Sequence, residues 1–312
     1  MANSPAKIEN REVDILVIGG GPAGLTAGLY AARAGRRTIV LEGRSPSLLD
    51  LDYTIENYPG FVSISSRDLL QKFRRHAEHF GAGVIDAEVI DMSLATDPKF
   101  VATSVLFIQA KAVIIASGKP LSKSKMIPGE ESLVGMGVSY CATCDGPLYK
   151  DRPVAAVGLG DEAAEDVLAL HQLGCRVSWF PSSGDKEPAS KALMERVEKL
   201  GIAVFPEAQV REIKGRTRVE GLTVERKGRS EDIEAAAVFI FREIPTGPLF
   251  AKAGVELDHK QCIKVDRFQR TNLEGVFAAG DVTCGGMQVV SGAGEGAVAA
   301  VQAVKFLRKA AE

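Results

Sequence analysis

The chain has little of what builds metal centres or polyanion-binding surfaces. Its 312 residues include five cysteines, four histidines and a single tryptophan. His76, His79, His171 and His259 have no ligand spacing to Cys175, Cys262 or Cys284, so a zinc site would lack its second half. Lys and Arg number 38 against 40 Asp and Glu, a net charge of −2 with no polybasic block. Neither nucleic acid nor an anionic membrane is the expected partner. The stretch from Met1 to Glu12 is polar, with no apolar signal core, and no hydrophobic run approaches membrane-spanning length. The expected location is therefore the cytoplasm. With 46% hydrophobic and 25% charged residues, the chain has a globular composition and room for two domains of ordinary size.

Against this background one short segment stands out, Cys141-Ala142-Thr143-Cys144 followed by Asp145-Gly146. The loop such a pair closes is too short to constrain the unfolded chain much, and its thiols exchange readily, so a redox couple is expected rather than a structural bridge. The other cysteines read differently. Cys175 enters a strand and is expected to pack in a core, Cys262 sits in a polar turn region with no partner, and Cys284 follows Asp281 as an unpaired thiol. His76 and His79 share a face of an amphipathic helix and are expected in solvent.

Asp14–Ile18 is a short apolar run ending in Gly19-Gly20-Gly21-Pro22-Ala23-Gly24, and a helical stretch from Leu25 to Ala34 follows. Strand, glycine turn and helix in this order form a dinucleotide fingerprint. Gly19 permits the tight turn, Gly21 lets backbone approach a pyrophosphate, and Gly24 lets the helix pack on the strand with its N–H groups facing the phosphates. The next strand, Thr38 to Leu41, ends at Glu42, where an acid binds a ribose hydroxyl. Near the other end, Gly275–Asp281 reads as a buried strand, and a small-residue helix is expected from about Gly292 to Leu307. If this segment folds onto the first unit, Asp281 is placed for a flavin ribitol; otherwise it is a plain strand-end turn.

The same plan recurs at Val154–Val157, Gly158-Leu159-Gly160-Asp161-Glu162-Ala163, a helix through Leu173 and the strand Arg176–Phe180, so the fold unit is duplicated. The second copy is damaged. An NADP site has arginine after the second strand and an NAD site an acid at its end, whereas this chain has Pro181-Ser182-Ser183-Gly184-Asp185. Trp179 is expected in the core, although an aromatic beside such a site is also able to stack on a base.

Taken together, these residues resemble the low-molecular-weight thioredoxin reductases over nearly the whole chain. Ile127-Pro128-Gly129-Glu130-Glu131 and Gly137-Val138-Ser139-Tyr140 leading into the cysteine pair match that family's active-site segment, and Glu56–Phe61 and Gly280-Asp281 match its FAD-binding segments. The resemblance implies an α/β fold of two Rossmann-like three-layer nucleotide-binding domains, the second inserted into the first. The FAD domain would comprise 1–119 and 245–312, and the insert, a degenerate pyridine-nucleotide-type domain carrying the CxxC, 120–244. FAD would be held by Gly19, Gly21, Pro22, Ala23, Gly24, Glu42, Asn57, Ser117, Gly118, Gly280, Asp281, Gln288 and Val289. Cys144 would lie against the flavin, Cys141 would attack the disulfide of thioredoxin or a similar protein, and Asp145 would be acid and base. Asp145 reads equally well as an N-cap of the following turn. A homodimer is implied by the resemblance alone, and Lys119-Pro120 and Ile244–Gly247 become candidate hinges.

The departures from the family concern the electron donor. The family's arginines for NADPH are replaced by Pro181, Ser182, Ser183 and Glu187, and Phe241-Arg242-Glu243 replaces the glycine that admits a nicotinamide. The family's Gly-Gly-Gln loop gives way to Ser45–Asp50, and Met287 precedes Gln288 in place of arginine. The pattern resembles the pyridine-nucleotide-independent members, some of which take electrons from ferredoxin. Competing readings are a small-molecule dithiol oxidase that passes electrons to oxygen, a flavin-binding sensor or scaffold, and a second site that holds another dinucleotide such as a second FAD.

Overall fold

The computed structural model describes residues 9–43, 47–118, 126–181, 188–241, 247–285 and 287–310. The chain divides into two compact units, Met1–Leu121 with Ile244–Glu312, and Ser122–Glu243. Both are α/β units built on a parallel sheet.

In the first unit the parallel strands run in the order Gly83–Asp86, Thr38–Glu42, Glu9–Ile18, Leu106–Ile115. The segment Ile15–Ile18 is fully apolar and buried on both faces, as the central strand of a parallel sheet requires. Alternation divides its side chains. Ile15 and Val17 pack under the helices Pro22–Arg33 and Val289–Lys309, while Leu16 and Ile18 join Val113, Ile115 and Val276 on the opposite face.

Leu106–Ile115 is long enough to serve two partners on its far edge. Its first half pairs antiparallel with Lys99–Thr103, and its last residues pair parallel with Val276–Ala278, Phe277 lying opposite Ile114. This pairing brings the C-terminal segment into the N-terminal sheet. Small residues then let the two helices approach closely: a Cβ on Gly296 would run into the Ala23 backbone. The C-terminal helix starts at Val289, earlier than its small-residue composition suggests, because Gln288 caps it reciprocally with Ser291.

The second unit repeats the plan, with the parallel order Ala203–Val204, Arg176–Phe180, Pro153–Gly158, Ala237–Phe241, Val138–Ser139. An antiparallel sheet of Ala208–Gly215, Val219–Arg226 and Arg229–Glu234 belongs to the same unit. Trp179, Phe180 and Phe239 are among its largest fully buried side chains. Full burial of such groups contributes roughly 1.5–3 kcal/mol each. Cys175 is buried in this core and its Sγ lies 3.3 Å from the Gly146 carbonyl; burial pushes its thiol pKa up. No helix among the described residues is long and apolar enough to cross a membrane, and no metal-holding cluster of His, Cys, Asp or Glu occurs among them.

Candidate active site

Cys141 and Cys144 form a disulfide with their Cα atoms 5.3 Å apart. The strand Val138–Ser139, paired at the edge of the second unit's sheet, delivers Cys141, and the single turn Ala142–Asp145 carries Cys144. Cys141 is extended and its Sγ accepts the Cys144 N–H at 3.2 Å. Both cysteines are half-buried and Thr143 between them is exposed, so the bridge can be reached.

Ser139 organises the pair. It is 5% exposed, its Oγ accepts the Cys141 N–H at 3.1 Å, and its hydroxyl donates to Asp145 Oδ2 at 2.6 Å. The Asp145 side chain makes no capping hydrogen bond to the turn Gly146–Tyr149, so of its two readings the cap is not observed. Behind this lies Glu130, with no exposure at all, accepting from the Tyr140 hydroxyl at 2.9 Å and the Ile127 N–H at 2.8 Å. Ser139 and Glu130 lie within the motif segment, and no local sequence pattern marks the role of either. The Tyr149 phenol is held above its ordinary pKa by burial and by the Asp145 charge.

In the first unit the dinucleotide turn has the expected shape. A Cβ on Gly19, which sits at φ 121, would meet the Ala116 carbonyl, and one on Gly24 the Gly19 carbonyl. Gly21 differs, because nothing lies within 4 Å of where its Cβ would be. The chain's own packing does not require glycine there, which leaves space for a ligand. Pro22 opens the helix, and Ala23 lies so near Gly280 that a Cβ on Gly280 would stand 2.9 Å from it. The glycine turns of the two chain ends therefore meet.

Around that junction, Asp281 opens a short 3₁₀ turn, and the Ser117 Oγ is buried without a hydrogen-bond partner among the described residues, next to Gly118 at φ 63. An orphaned buried hydroxyl and an open glycine turn fit a phosphate- and ribose-bearing cofactor. The Asn57 amide donates to Gln288 Oε1 at 3.1 Å. Val289 instead turns its side chain into the cluster of Leu49, Ile55 and Leu69, leaving only its backbone to a ligand. Glu42 ends its strand as expected, but Arg74 Nη2 lies 2.6 Å from its Oε2 and 3.0 Å from Asp86. Burial raises the Glu42 pKa against the pull of Arg74. Arg74 carries no signal in the sequence, being one of several bases on an amphipathic helix.

One expectation is corrected. Cys262 and Cys284 are not isolated thiols but form a disulfide, and Cys262 is buried. The loop that carries Cys262 folds back on the turn after Asp281, a proximity no local pattern reveals. Trp179 lies in the core, as expected: it is 1% exposed and donates Nε1–H to the Gly158 carbonyl at 2.9 Å, which rules out the alternative of stacking on a base. His76 and His79 are exposed and lie against Phe80. Ser45, Pro46, Lys119, Pro120, Ser182, Ser183, Glu187, Arg242, Glu243, Ile244, Pro245 and Thr246 lie outside the described residues.

The family model for pyridine nucleotide-disulphide oxidoreductases matches residues 13–302. The thioredoxin reductase of Aquifex aeolicus is 36% identical, with 98% of this chain and 97% of the relative covered. A thioredoxin reductase structure from Giardia duodenalis matches with TM-score 0.86 and 31% identity over 96% of this chain and 99% of the other. A ferredoxin-flavin thioredoxin reductase from Clostridium acetobutylicum matches with TM-score 0.52 and 32% identity over 96% and 100%. The chain belongs to the pyridine nucleotide-disulphide oxidoreductase family. Within it, the protein is an FAD-dependent, thioredoxin-reductase-like oxidoreductase that acts on sulfur groups.

Proposed function

We propose that the protein reduces the disulfide of thioredoxin or a similar protein through Cys141 and Cys144, with electrons from a donor other than NADPH, and that this donor is ferredoxin. The observation that carries the donor reading is the helix Asp161–Gln172. Gly160 caps it, and its first two residues are Asp161 and Glu162, where a pyrophosphate would sit in an intact dinucleotide site. Their charges compensate the helix dipole. A phosphate brought within about 4 Å of either would be repelled by roughly 1–4 kcal/mol, depending on the local dielectric. No arginine stands in the segment 181–187, and Lys186, its one cation, is flanked by Asp185 and Glu187. Two or three missing charge-assisted phosphate contacts, at about 1.5–3 kcal/mol each, amount to orders of magnitude in affinity. A protein that delivers single electrons needs no such pocket. The similar structure from Clostridium acetobutylicum, a ferredoxin-flavin thioredoxin reductase, supports that class of donor.

In this reading residues 1–119 and 245–312 bind FAD through Gly19, Gly21, Pro22, Ala23, Gly24, Glu42, Asn57, Ser117, Gly118, Gly280, Asp281, Gln288 and Val289, and residues 120–244 carry the dithiol. Bound FAD supplies the store of two electrons. Ser139 holds Asp145 beside the cysteines, where its carboxyl gives a proton to the thiolate released when the Cys141–Cys144 bond opens and takes it back when the bond reforms. Cys141, the outer thiol, attacks the substrate disulfide, and Cys144 displaces the product. The working form is a homodimer, which sedimentation at micromolar concentration checks.

The test is anaerobic reduction of the purified flavoprotein by NADPH, NADH and reduced ferredoxin in parallel, followed by an assay with thioredoxin. Rapid bleaching by ferredoxin and slow bleaching by NADPH are expected. Rapid reduction by NADPH would overturn the reading.

A further inference from the structure

The Cys262–Cys284 bridge has no part in the reaction described above. Its Cα atoms are 5.9 Å apart, and both residues belong to the first unit. Cys262 closes a tight turn in which Asp258 Oδ1 accepts the N–H groups of Lys260 at 2.8 Å and Cys262 at 2.9 Å. It is 4% exposed. Cys284 ends the 3₁₀ turn that begins at Asp281, is half-buried, and has φ 58, a left-handed conformation that a non-glycine residue adopts only when its surroundings hold it there. The Asp281 segment is also held by hydrogen bonds. Ile263 N–H donates to the Val282 carbonyl at 2.9 Å, and Glu295 accepts the Gly280 N–H at 2.7 Å and the Thr283 hydroxyl at 3.2 Å.

A protein that produces dithiols works among reductants for its own disulfides. Exchange proceeds by attack of a thiolate on an accessible sulfur, and of the two residues Cys284 is the more exposed, half-buried where Cys262 is buried and followed by the exposed Gly285. We propose that Cys262–Cys284 is a second exchangeable disulfide, reduced by dithiols of the kind the Cys141–Cys144 centre generates, and that its opening loosens the Asp281 segment and with it the hold on FAD. In the first step a dithiol's thiolate attacks Cys284 Sγ, the Cys262–Cys284 bond breaks, and Cys262 leaves as a thiolate that takes a proton. In the second, the dithiol's other sulfur displaces Cys284. Both cysteines end as thiols and the attacking dithiol as its disulfide, so two electrons and two protons are transferred. A build-up of reduced product would thereby weaken the cofactor site that makes it. The inference rests on the proposed FAD site of the first unit and on the proposed dithiol centre.

The test uses the FAD-loaded Cys141→Ser/Cys144→Ser protein, in which dithiothreitol meets only the second bridge. Alkylation and peptide mass mapping before and after native treatment report the thiols, and flavin fluorescence on dilution reports FAD release. The expected result is protected Cys262 and Cys284 before treatment, two labelled cysteines after it, and at least tenfold faster FAD release. A Cys262→Ser/Cys284→Ser chain should release FAD at the fast rate with or without dithiothreitol, and the treated parent protein gives the answer if that chain does not fold. Labelling of both cysteines before treatment, a bridge that resists dithiothreitol until the protein is denatured, or unchanged FAD release after reduction would each overturn the proposal. Asp281→Ala separates the two ideas. If it retains FAD while bridge reduction releases it, the assignment of Asp281 fails and the switch stands; if it loses FAD while bridge reduction does not, only the switch fails.

Discussion

The amide of Asn57 donates to the side-chain oxygen of Gln288 at 3.1 Å, joining residues that lie 231 positions apart. One belongs to the loop after the short strand Thr54–Ile55 and the other caps the C-terminal helix, so the contact closes the proposed flavin site with both chain ends. Asn57→Ala should accelerate FAD release about fivefold, since a side-chain hydrogen bond contributes about 1 kcal/mol. Equal release from the variant and the parent, measured by flavin fluorescence after dilution, would remove Asn57 from the site.

Gly24→Ala places a methyl group against the Gly19 carbonyl, a backbone atom unable to move aside. The expected product is a colourless protein or one that does not fold. A yellow Gly24→Ala protein of normal melting temperature would contradict the geometry of the turn.

Ser139→Ala frees the Asp145 carboxylate and removes the acceptor of the Cys141 N–H. Disulfide turnover should fall by about 100-fold, the cost of a misplacement of about 1 Å, and the pH profile of kcat should change shape while flavin content stays constant. Ser139→Thr, which keeps the hydroxyl, should recover part of the loss. An unaltered pH profile would leave Ser139 a merely structural residue.

The chain's single tryptophan, Trp179, is fully buried with its N–H satisfied by the Gly158 carbonyl. Native emission should therefore be blue-shifted, and its red shift in denaturant should report unfolding of the second unit. Trp179→Phe should cost about 1–3 kcal/mol, because the Gly158 carbonyl loses its partner inside the core. Emission at the wavelength of free tryptophan in the native protein would contradict this burial.

Asp166, on the helix that opens with Asp161, has its pKa pushed up to about 6 by burial and by the neighbouring charges of Glu162 and Glu165. The folded state thus holds this proton more tightly than the unfolded chain, and its contribution to stability is complete below pH 4 and lost as pH rises to 6. After discounting for the partial solvent contact of the site, Asp166→Asn should stabilise the protein at pH 7 by about 1 kcal/mol, with little effect at pH 4. Denaturant melts at the two pH values check this; equal shifts at both would show that the carboxyl does not titrate in that range.

Much of the site is local and was therefore legible. The spacing of Gly19, Gly21 and Gly24 encodes strand, turn and helix within a few residues, and the second copy at Gly158–Ala163 folds in the same way. The cysteine pair lies on one short turn, so its proximity follows from its spacing. Less of the electrostatics was visible. Arg74 on Glu42 and the buried Glu130 under Tyr140 depend on which helix or loop packs beside which strand, and their sequence context is that of ordinary charged residues.

The sequence by itself determined the two dinucleotide folds, the redox pair and the acids at the start of the second unit's helix, because each rests on backbone geometry repeated over short spans. Only the tertiary structure decided that Val276–Ala278 completes the edge of the Leu106–Ile115 strand. That pairing carries Gly280 to Ala23 and Gln288 to Asn57, and the turn after Asp281 meets the loop of Cys262 in the same unit. Such partners are chosen by strand order and by the packing of helices through small side chains. Neither leaves a period or a spacing to read along the chain.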